Sequence, residues 1–205
     1  MRTLLRPLLL VGSLLAAAPL AAQDSTVVVV VRHAEKAVVE AGNNDPPLSE
    51  AGIARAVALR EALDGMRFDA VIATERQRTQ ATARPVLEAQ GLVPEIVSLR
   101  HGPAHVDSVA AAVRRHAGHT VLVVGHSNTV PAIVHALGGP RLADLCEPQF
   151  SNLFVVVLKP GAEPRVEHGA EGLPAYFPGV RVRRGTAWME APNGQVDTGD
   201  IINGR

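Results

Sequence analysis

Short apolar runs alternate with helix-like segments along most of this chain. Residues 27–31 are five consecutive valines, a pattern typical of a strand that is buried on both faces of a parallel sheet. Further strands are predicted at 69–73, 94–99, 120–124 and 152–158, and helices at 49–63, 76–90, 107–116 and 130–137. This alternation predicts a three-layer α/β/α domain with a mostly parallel central sheet.

Capping and breaking residues refine the helix predictions. Ser49 is a good N-cap for the first helix, and Ile53, Val57 and Leu63 are expected to face the core. Pro85 is expected to kink or split the second helix because proline lacks an N–H donor. A loop is expected at 100–105.

Two of the predicted strands end on a histidine. The valine strand runs directly into Arg32 and His33, and the strand at 120–124 is followed by Gly125 and His126. In open α/β sheets, ligands bind in the crevice at the carboxyl ends of the strands. Arg78 lies about one helical turn beyond another strand end, so it can reach back to the same crevice.

These residue types suit phosphoryl chemistry. A neutral imidazole is a competent nucleophile, and a guanidinium is a planar fork that matches phosphate oxygens. Two arginines near His33 are expected to lower its pKa. No convincing set of metal ligands exists among the eight histidines.

In order and spacing, these segments resemble the histidine phosphatase superfamily, whose fold is called phosphoglycerate mutase-like, and in particular its compact SixA-like members. Thr74, Arg78, Thr82 and Ala83 match the family pattern Ser-x-x-x-Arg-x-x-x-Thr-Ala, with Thr in place of Ser. The resemblance covers residues 26–158. It implies that His33 becomes phosphorylated.

The same resemblance implies roles for the other matching residues. Arg32, Arg78 and His126 would bind the phosphoryl group, and neither a metal nor a cofactor would be required. Ser127 stands where phytase-like members carry their acid, and the chain has little room for the insert that holds the acid of mutase-like members. The proton donor to the leaving group is therefore not given by the pattern.

Four further residues are candidates with competing roles. Asp107 is a possible proton donor, but it could instead cap the helix that it or Ser108 begins. Glu35 could handle protons or orient Arg32 or Arg78. Lys36 could contact substrate or be solvated, and Asn128 could donate to phosphate or only cap a helix.

The charge balance and the cysteine content argue against a nucleic-acid-binding protein and against a disulfide-stabilised protein. The formal net charge is zero, and removal of a leader with Arg2 and Arg6 would leave 18 basic and 20 acidic residues. This balance argues against non-specific nucleic-acid binding, which requires a basic face. Cys146 is the only cysteine, so no disulfide framework exists, and it is expected to be a small buried or partly buried filler and not a nucleophile.

The two ends of the chain differ from the middle. Residues 1–22 resemble a secretory signal peptide, with two arginines before an apolar stretch and small residues up to Ala21 and Ala22. Export to the periplasm or medium is expected, and an uncleaved membrane anchor is the alternative. Residues 159–205 are rich in Gly and Pro and form either a tail or a segment packed over the domain.

The sequence thus predicts a signal peptide at 1–22, a histidine phosphatase domain at 23–158 and an extension at 159–205. The expected activity is metal-independent hydrolysis of a phosphomonoester or phosphoramidate through a phosphohistidine on His33. The alternative is a non-catalytic module of the same fold that binds a phosphorylated ligand. The expected partner is a small phosphorylated substrate or a phosphoprotein, with no nucleic acid and no membrane span after signal cleavage. The oligomeric state is left open.

Overall fold

The structure, a computed structural model, describes residues 25–39 and 42–169. The predicted signal peptide and residues 170–205 of the predicted extension lie outside the described residues. The described part contains strands β1 Thr26–Arg32, β2 Ala70–Ala73, β3 Glu95–Ile96, β4 Thr120–Gly125, β5 Leu153–Leu158 and β6 Arg165–His168, and helices α1 Glu50–Ala62, α2 Gln77–Gln90, α3 His105–Arg115 and α4 Thr129–Ala136.

The six strands form one mixed sheet in the order β3-β2-β4-β1-β5-β6. The first four are mutually parallel, β5 runs antiparallel to β1, and β6 runs antiparallel to β5. The predicted α/β fold with a mostly parallel sheet is therefore confirmed.

The valine strand is the centre of the molecule. Val28 to Val31 have no exposed surface, because β1 lies between β4 and β5 and is covered on both faces. Val29 and Val31 pack against α1 and α2, whereas Val28 and Val30 pack against α3 and α4. Full burial of a valine contributes on the order of 1.5 kcal/mol or more. The alternating valines thus join two cores into a three-layer domain.

Helix α1 begins as predicted but faces the core with other residues. Ser49 Oγ accepts a hydrogen bond from Gly52 N–H and caps the helix. Ile53 and Val57, predicted to face inward, are 57% and 43% exposed. The inward face instead carries apolar residues together with Gly52 and Arg55; the apolar ones are Ala56, Ala58, Leu59 and Ala62. A Cβ on Gly52 would lie 2.2 Å from Glu35 O, and Arg55 pairs with the Glu35 carboxylate. A close backbone contact and a buried ion pair therefore decide the rotation of the helix.

Four other expectations change in detail. Cys146, expected to be buried or partly buried, is exposed. Pro85 lies inside α2 without splitting it, since Ala83, Val86 and Leu87 pack the helix against the sheet. The predicted strand at 94–99 is reduced to β3. The predicted loop at 100–105 is largely a 3₁₀ segment, Leu99–Ala104, that leads directly into α3. Ser98 begins that segment by accepting from Arg100 N–H.

The sheet continues past residue 158, where the sequence places the domain boundary. β6 pairs with β5 over four residues and forms the edge of the sheet. The chain leaves α4 at Gly138, with φ of 93°, and a Cβ there would lie 2.5 Å from Pro164. Because the glycines that end α4 have no side chains, the segment before β6 can pack directly against them. Within the described ranges, no helix is both long and apolar enough to cross a membrane.

Candidate active site

The ends of β1 and β4 bring the two histidines together. Arg32 pairs with Gly125 in the parallel register, and His33 N–H donates to Gly125 O over 2.9 Å. The rings of His33 and His126 are 5.2 Å apart between centroids and inclined at 65°. Both side chains lie at the carboxyl edge of the parallel strands, where open α/β sheets bind ligands.

His33 is held in one tautomer with its outer nitrogen facing the crevice. Its Nδ1 lies 2.7 Å from Ala34 O, so Nδ1–H donates to this carbonyl and the lone pair remains on Nε2. Ala34 N–H donates in turn to Thr82 Oγ1 over 2.9 Å. Burial lowers the pKa of His33 to about 4, and the charges of Arg78, Arg32 and Lys36 act in the same direction against the Ala34 hydrogen bond. The imidazole is therefore neutral at neutral pH.

Arg78, at the start of α2, contacts this nitrogen directly. Its Nε–H donates to His33 Nε2 over 3.2 Å, and its Nη1 lies 3.5 Å from an oxygen of Asp45. Burial lowers the pKa of Arg78, but the guanidinium remains charged because its ordinary pKa is far above 7. The nucleophilic lone pair and a phosphate-binding donor thus face the same point.

Arg32 is almost fully buried and is fixed by the segment before β5. Its Nη1 donates to Cys146 O over 2.8 Å and to Glu147 O over 3.2 Å, and its guanidinium lies 4.1 Å from the centroid of the Phe150 ring. Its Nη2 is 2.5 Å from the Glu147 carboxylate. Backbone acceptors and a ring therefore orient this guanidinium toward the crevice.

His126 is supported by the threonine that precedes α2. His126 Nε2 and Thr74 Oγ1 lie 3.2 Å apart, and Thr74 Oγ1 is 2.9 Å from Thr79 Oγ1. His126 N–H donates to Thr129 Oγ1 in the first turn of α4. Burial lowers the pKa of His126 to about 3, with further contributions from His33 and Arg78. A second neutral imidazole therefore lies beside the first.

The sequence model of the histidine phosphatase superfamily (branch 1) matches residues 28–100. This range holds the Arg32–His33 pair and Arg78, and the structure adds His126 from outside it. This match places residues 28–100 of the chain in the histidine phosphatase superfamily. A search of curated proteins by sequence finds no significant match.

Solved structures share the fold of this histidine phosphatase domain. The protein histidine phosphatase SixA in complex with tungstate is 20% identical, with a TM-score of 0.56 over 72% of this chain and 99% of its own. A mycobacterial glucosyl-3-phosphoglycerate phosphatase is 15% identical, with a TM-score of 0.53 over 71% and 99%. Phosphoglycerate mutase from Bacillus anthracis is 16% identical, with a TM-score of 0.52 over 72% and 94%. At these identities the likeness establishes the fold.

The candidate active site is an open, positively charged pocket of about 310 Å³. Its lining includes four cationic side chains and a single carboxylate. The lining residues are Arg32, His33, Lys36, Arg76, Arg78, Leu99, His126, Ser127, Asn128, Thr129 and Glu147. The excess of positive charge makes the pocket complementary to an anion.

The structure separates the other candidates into two groups. Lys36 and Asn128 line the pocket with the four residues expected there. Asp107 does not: it is exposed in the first turn of α3 and is neither in the lining nor the N-cap, which is Ala104. Glu35 does not orient Arg32 or Arg78, because its carboxylate is engaged by Arg55, with Nη2–Oε1 at 2.7 Å and Nε–Oε2 at 2.9 Å.

Three charged residues of the site were not anticipated. Glu147 and Arg76 line the pocket, and Asp45 pairs with Arg78. Asp45 and Glu147 lie in loops without a strand-end or capping pattern, so no local pattern in the sequence marks them. Arg76 immediately precedes α2, and its charge helps to lower the pKa of both Arg78 and His126.

Metal-binding potential is limited in the part of the chain that the structure describes. There, no three or more His, Cys, Asp or Glu side chains are grouped so that they could hold a metal ion. The pocket instead offers cationic hydrogen-bond donors, which act on a phosphoryl group directly.

Proposed function

We propose that this histidine phosphatase hydrolyses a phosphomonoester or phosphoramidate through a phosphohistidine on His33. The observation that carries the proposal is the state of His33: a buried neutral imidazole, fixed by Ala34 O, with Nε2 directed at the guanidinium of Arg78. Membership of the superfamily supports phosphatase or mutase chemistry in general. The finer assignment rests on the residues of this site.

The first half of the reaction transfers the phosphoryl group to the enzyme. His33 Nε2 attacks phosphorus while the bond to the leaving group breaks. Arg78 shifts its Nε–H from Nε2 to a phosphoryl oxygen, which exposes the lone pair, and Arg32 donates from Nη2. These cations offset the charge on the phosphoryl oxygens, which is the main requirement of phosphoryl transfer.

The second half is hydrolysis of the phosphohistidine. Water attacks phosphorus from the open side of the pocket, the P–N bond breaks, and neutral His33 is restored with release of phosphate. The openness of the pocket favours hydrolysis over transfer between two positions of a retained substrate, so we assign phosphatase rather than mutase activity. The substrate is a small phosphorylated molecule or a phosphoprotein.

The decisive experiment is hydrolysis of p-nitrophenyl phosphate in the presence of EDTA by the parent and by His33→Ala. Turnover by the parent and its loss in His33→Ala are expected. His119→Ala is the matched control, because His119 is exposed and lies outside the pocket lining. Parent protein that binds phosphate but turns over neither p-nitrophenyl phosphate nor phosphohistidine would instead favour the non-catalytic binding module.

Export is a further part of the proposal and depends only on the sequence of residues 1–22. Two arginines, an apolar stretch and small residues before position 23 support a cleaved signal peptide and a periplasmic or secreted enzyme. Mass spectrometry of the protein from cells is expected to give a mature N-terminus after Ala21 or Ala22. An intact N-terminus in purified membranes would contradict export by cleavage and support an anchor.

A further inference from the structure

Transfer of a phosphoryl group from an ordinary alcohol requires a proton for the departing oxygen. The pocket lining contains one carboxylate, that of Glu147. Asp107 and Glu35, the acids considered from sequence, are outside the lining, and Glu35 is engaged by Arg55. Asp45 pairs with Arg78 but lies outside the lining. Among the described residues, Glu147 is therefore the acid whose carboxylate lies in the pocket.

The position of Glu147 relative to the phosphoryl group follows from Arg32. Glu147 Oε2 lies 2.5 Å from Arg32 Nη2, which is the nitrogen directed to the phosphoryl group in the reaction above. Two acceptors that share one nitrogen at ordinary hydrogen-bond lengths lie roughly 4–5 Å apart. A carboxyl in this position reaches a phosphoryl or leaving-group oxygen by a small rotation of its side chain.

The segment around Glu147 holds its backbone, whereas its side chain is exposed. The carbonyls of Cys146 and Glu147 both accept from Arg32 Nη1, and Leu145 N–H donates to Ser127 O. The Glu147 side chain is 66% exposed, and its other oxygen lies 3.0 Å from Lys36 Nζ. The residue thus combines an anchored main chain with an exposed carboxyl group that faces two cations.

We propose that Glu147 is the general acid that protonates the leaving-group oxygen in the reaction of His33. This inference rests on the proposed phosphatase function. In the first step the His33 Nε2–P bond forms, the P–O bond breaks, and the proton of the Glu147 carboxyl passes to the departing oxygen. In the second step water attacks phosphorus, its proton passes to the Glu147 carboxylate, and the P–N bond breaks to restore His33.

The charges around Glu147 are compatible with this cycle. Without substrate, burial raises the pKa of Glu147, but hydrogen bonds from Arg32 and Lys36 outweigh this effect and hold the pKa below its ordinary value. A bound phosphate brings negative charge to the same two cations, which weakens their hold on the carboxylate and favours its protonated form. Substrate binding therefore favours protonation of the Glu147 carboxylate.

The test compares leaving groups in the parent and in Glu147→Gln. p-Nitrophenolate leaves as a stable anion, whereas phenolate and alkoxide leaving groups depend more on protonation. We expect kcat/KM for glycerol 2-phosphate to fall by about 10²–10⁴-fold in Glu147→Gln, with a smaller fall for phenyl phosphate and less than about tenfold for p-nitrophenyl phosphate. Glutamine keeps the size and hydrogen-bonding shape of the side chain, so this graded loss reports the missing proton.

Two controls separate this role from others. Glu88→Gln removes an exposed carboxylate of α2 outside the lining and is expected to leave all three substrates unchanged. Asp107→Asn tests the rival acid. A leaving-group dependence in Asp107→Asn, or the same dependence in Glu88→Gln, would overturn the assignment of Glu147.

The remaining outcomes are also decisive. An equal decrease in KM for all substrates in Glu147→Gln would mean that the carboxylate only competes with phosphate for Arg32, and would overturn the proposal. The proposal would also be overturned if the parent enzyme hydrolysed p-nitrophenyl phosphate but not phenyl phosphate. Such an enzyme would have no general acid to protonate the leaving group. A parent that turns over no phosphomonoester or phosphoramidate would instead refute the proposed function itself.

Discussion

The hydroxyl of Thr82 joins the helix that carries Arg78 to the residue that fixes His33. Thr82 is fully buried; its Oγ1 accepts from Ala34 N–H over 2.9 Å and donates to Arg78 O over 2.8 Å. Ala34 O in turn accepts from His33 Nδ1–H. Replacement of Thr82 by valine keeps the shape of the side chain and removes only the hydroxyl, which tests whether this connection positions the nucleophile.

The expected loss of stability follows from the buried Ala34 N–H, which the substitution leaves without an acceptor. In Thr82→Val the Ala34 N–H has no acceptor, which costs about 1–3 kcal/mol of unfolding free energy. Arg78 O loses one donor, a smaller effect because a carbonyl in a helix also accepts from the backbone. For a chain of this size, each kcal/mol lowers Tm by about 2–4 °C. Because the backbone at Ala34 is then held less firmly, its carbonyl can move away from His33 Nδ1–H; His33 loses its fixed tautomer, and kcat is expected to fall more than KM changes.

The assays are urea unfolding and steady-state hydrolysis of p-nitrophenyl phosphate, each made on Thr82→Val and Thr82→Ser. Serine keeps the hydroxyl and removes the methyl group, so it is expected to lose stability through packing while kcat stays near that of the parent. The reasoning would be refuted if Thr82→Ser lost as much kcat as Thr82→Val. The effect would then come from packing of the Thr82 side chain and not from its hydrogen bond to Ala34.

Two further predictions concern stability. Gly52→Ala is expected to destabilise the protein by about 1–3 kcal/mol, because its Cβ would lie 2.2 Å from Glu35 O; chemical denaturation measures this, and an unchanged midpoint would contradict the tight packing. The pH dependence follows from the histidines: the pKa of His33 is lowered to about 4 and that of His126 to about 3, whereas the unfolded chain protonates them near 6.5. The unfolded state therefore binds more protons, and the free energy of unfolding falls as the pH is lowered from about 6.5 to about 4, by about 3 kcal/mol from His33 alone. Denaturation from pH 4 to 8 should show this fall in the parent and a flatter profile in a His33→Asn/His126→Asn variant; equal profiles would contradict it.

The sequence predicts those parts of the site that local patterns mark. His33 and His126 each follow a buried strand, and Arg78 follows a strand by one helical turn, so periodicity alone places them at one edge of a parallel sheet. Lys36 lies three residues after His33 and Asn128 two residues after His126, and both line the same pocket. Local pattern succeeds here because the direction of a strand and its two covered faces are properties of a few consecutive residues.

Local pattern fails where a polar contact decides the packing. Ile53 and Val57 are apolar and helically spaced, but α1 turns them outward so that Gly52 and Arg55 can meet Glu35. The same ion pair removes Glu35 from the pocket. Nothing in the spacing of residues 49–63 reveals the partner of Arg55, because that partner lies 20 residues earlier in the chain.

The central valine strand, the α/β alternation and the strand-terminal residues Arg32, His33 and His126 can be predicted from the amino-acid sequence, because each depends on near neighbours along the chain. The contact of Glu147 with Arg32 is visible only in the folded protein, since these residues are 115 positions apart and their contact requires the segment before β5 to fold back over the end of β1. The strength of such a contact depends on how deeply the two groups are buried and on the charges around them in the folded protein. Residues that are close in sequence do not reveal these surroundings.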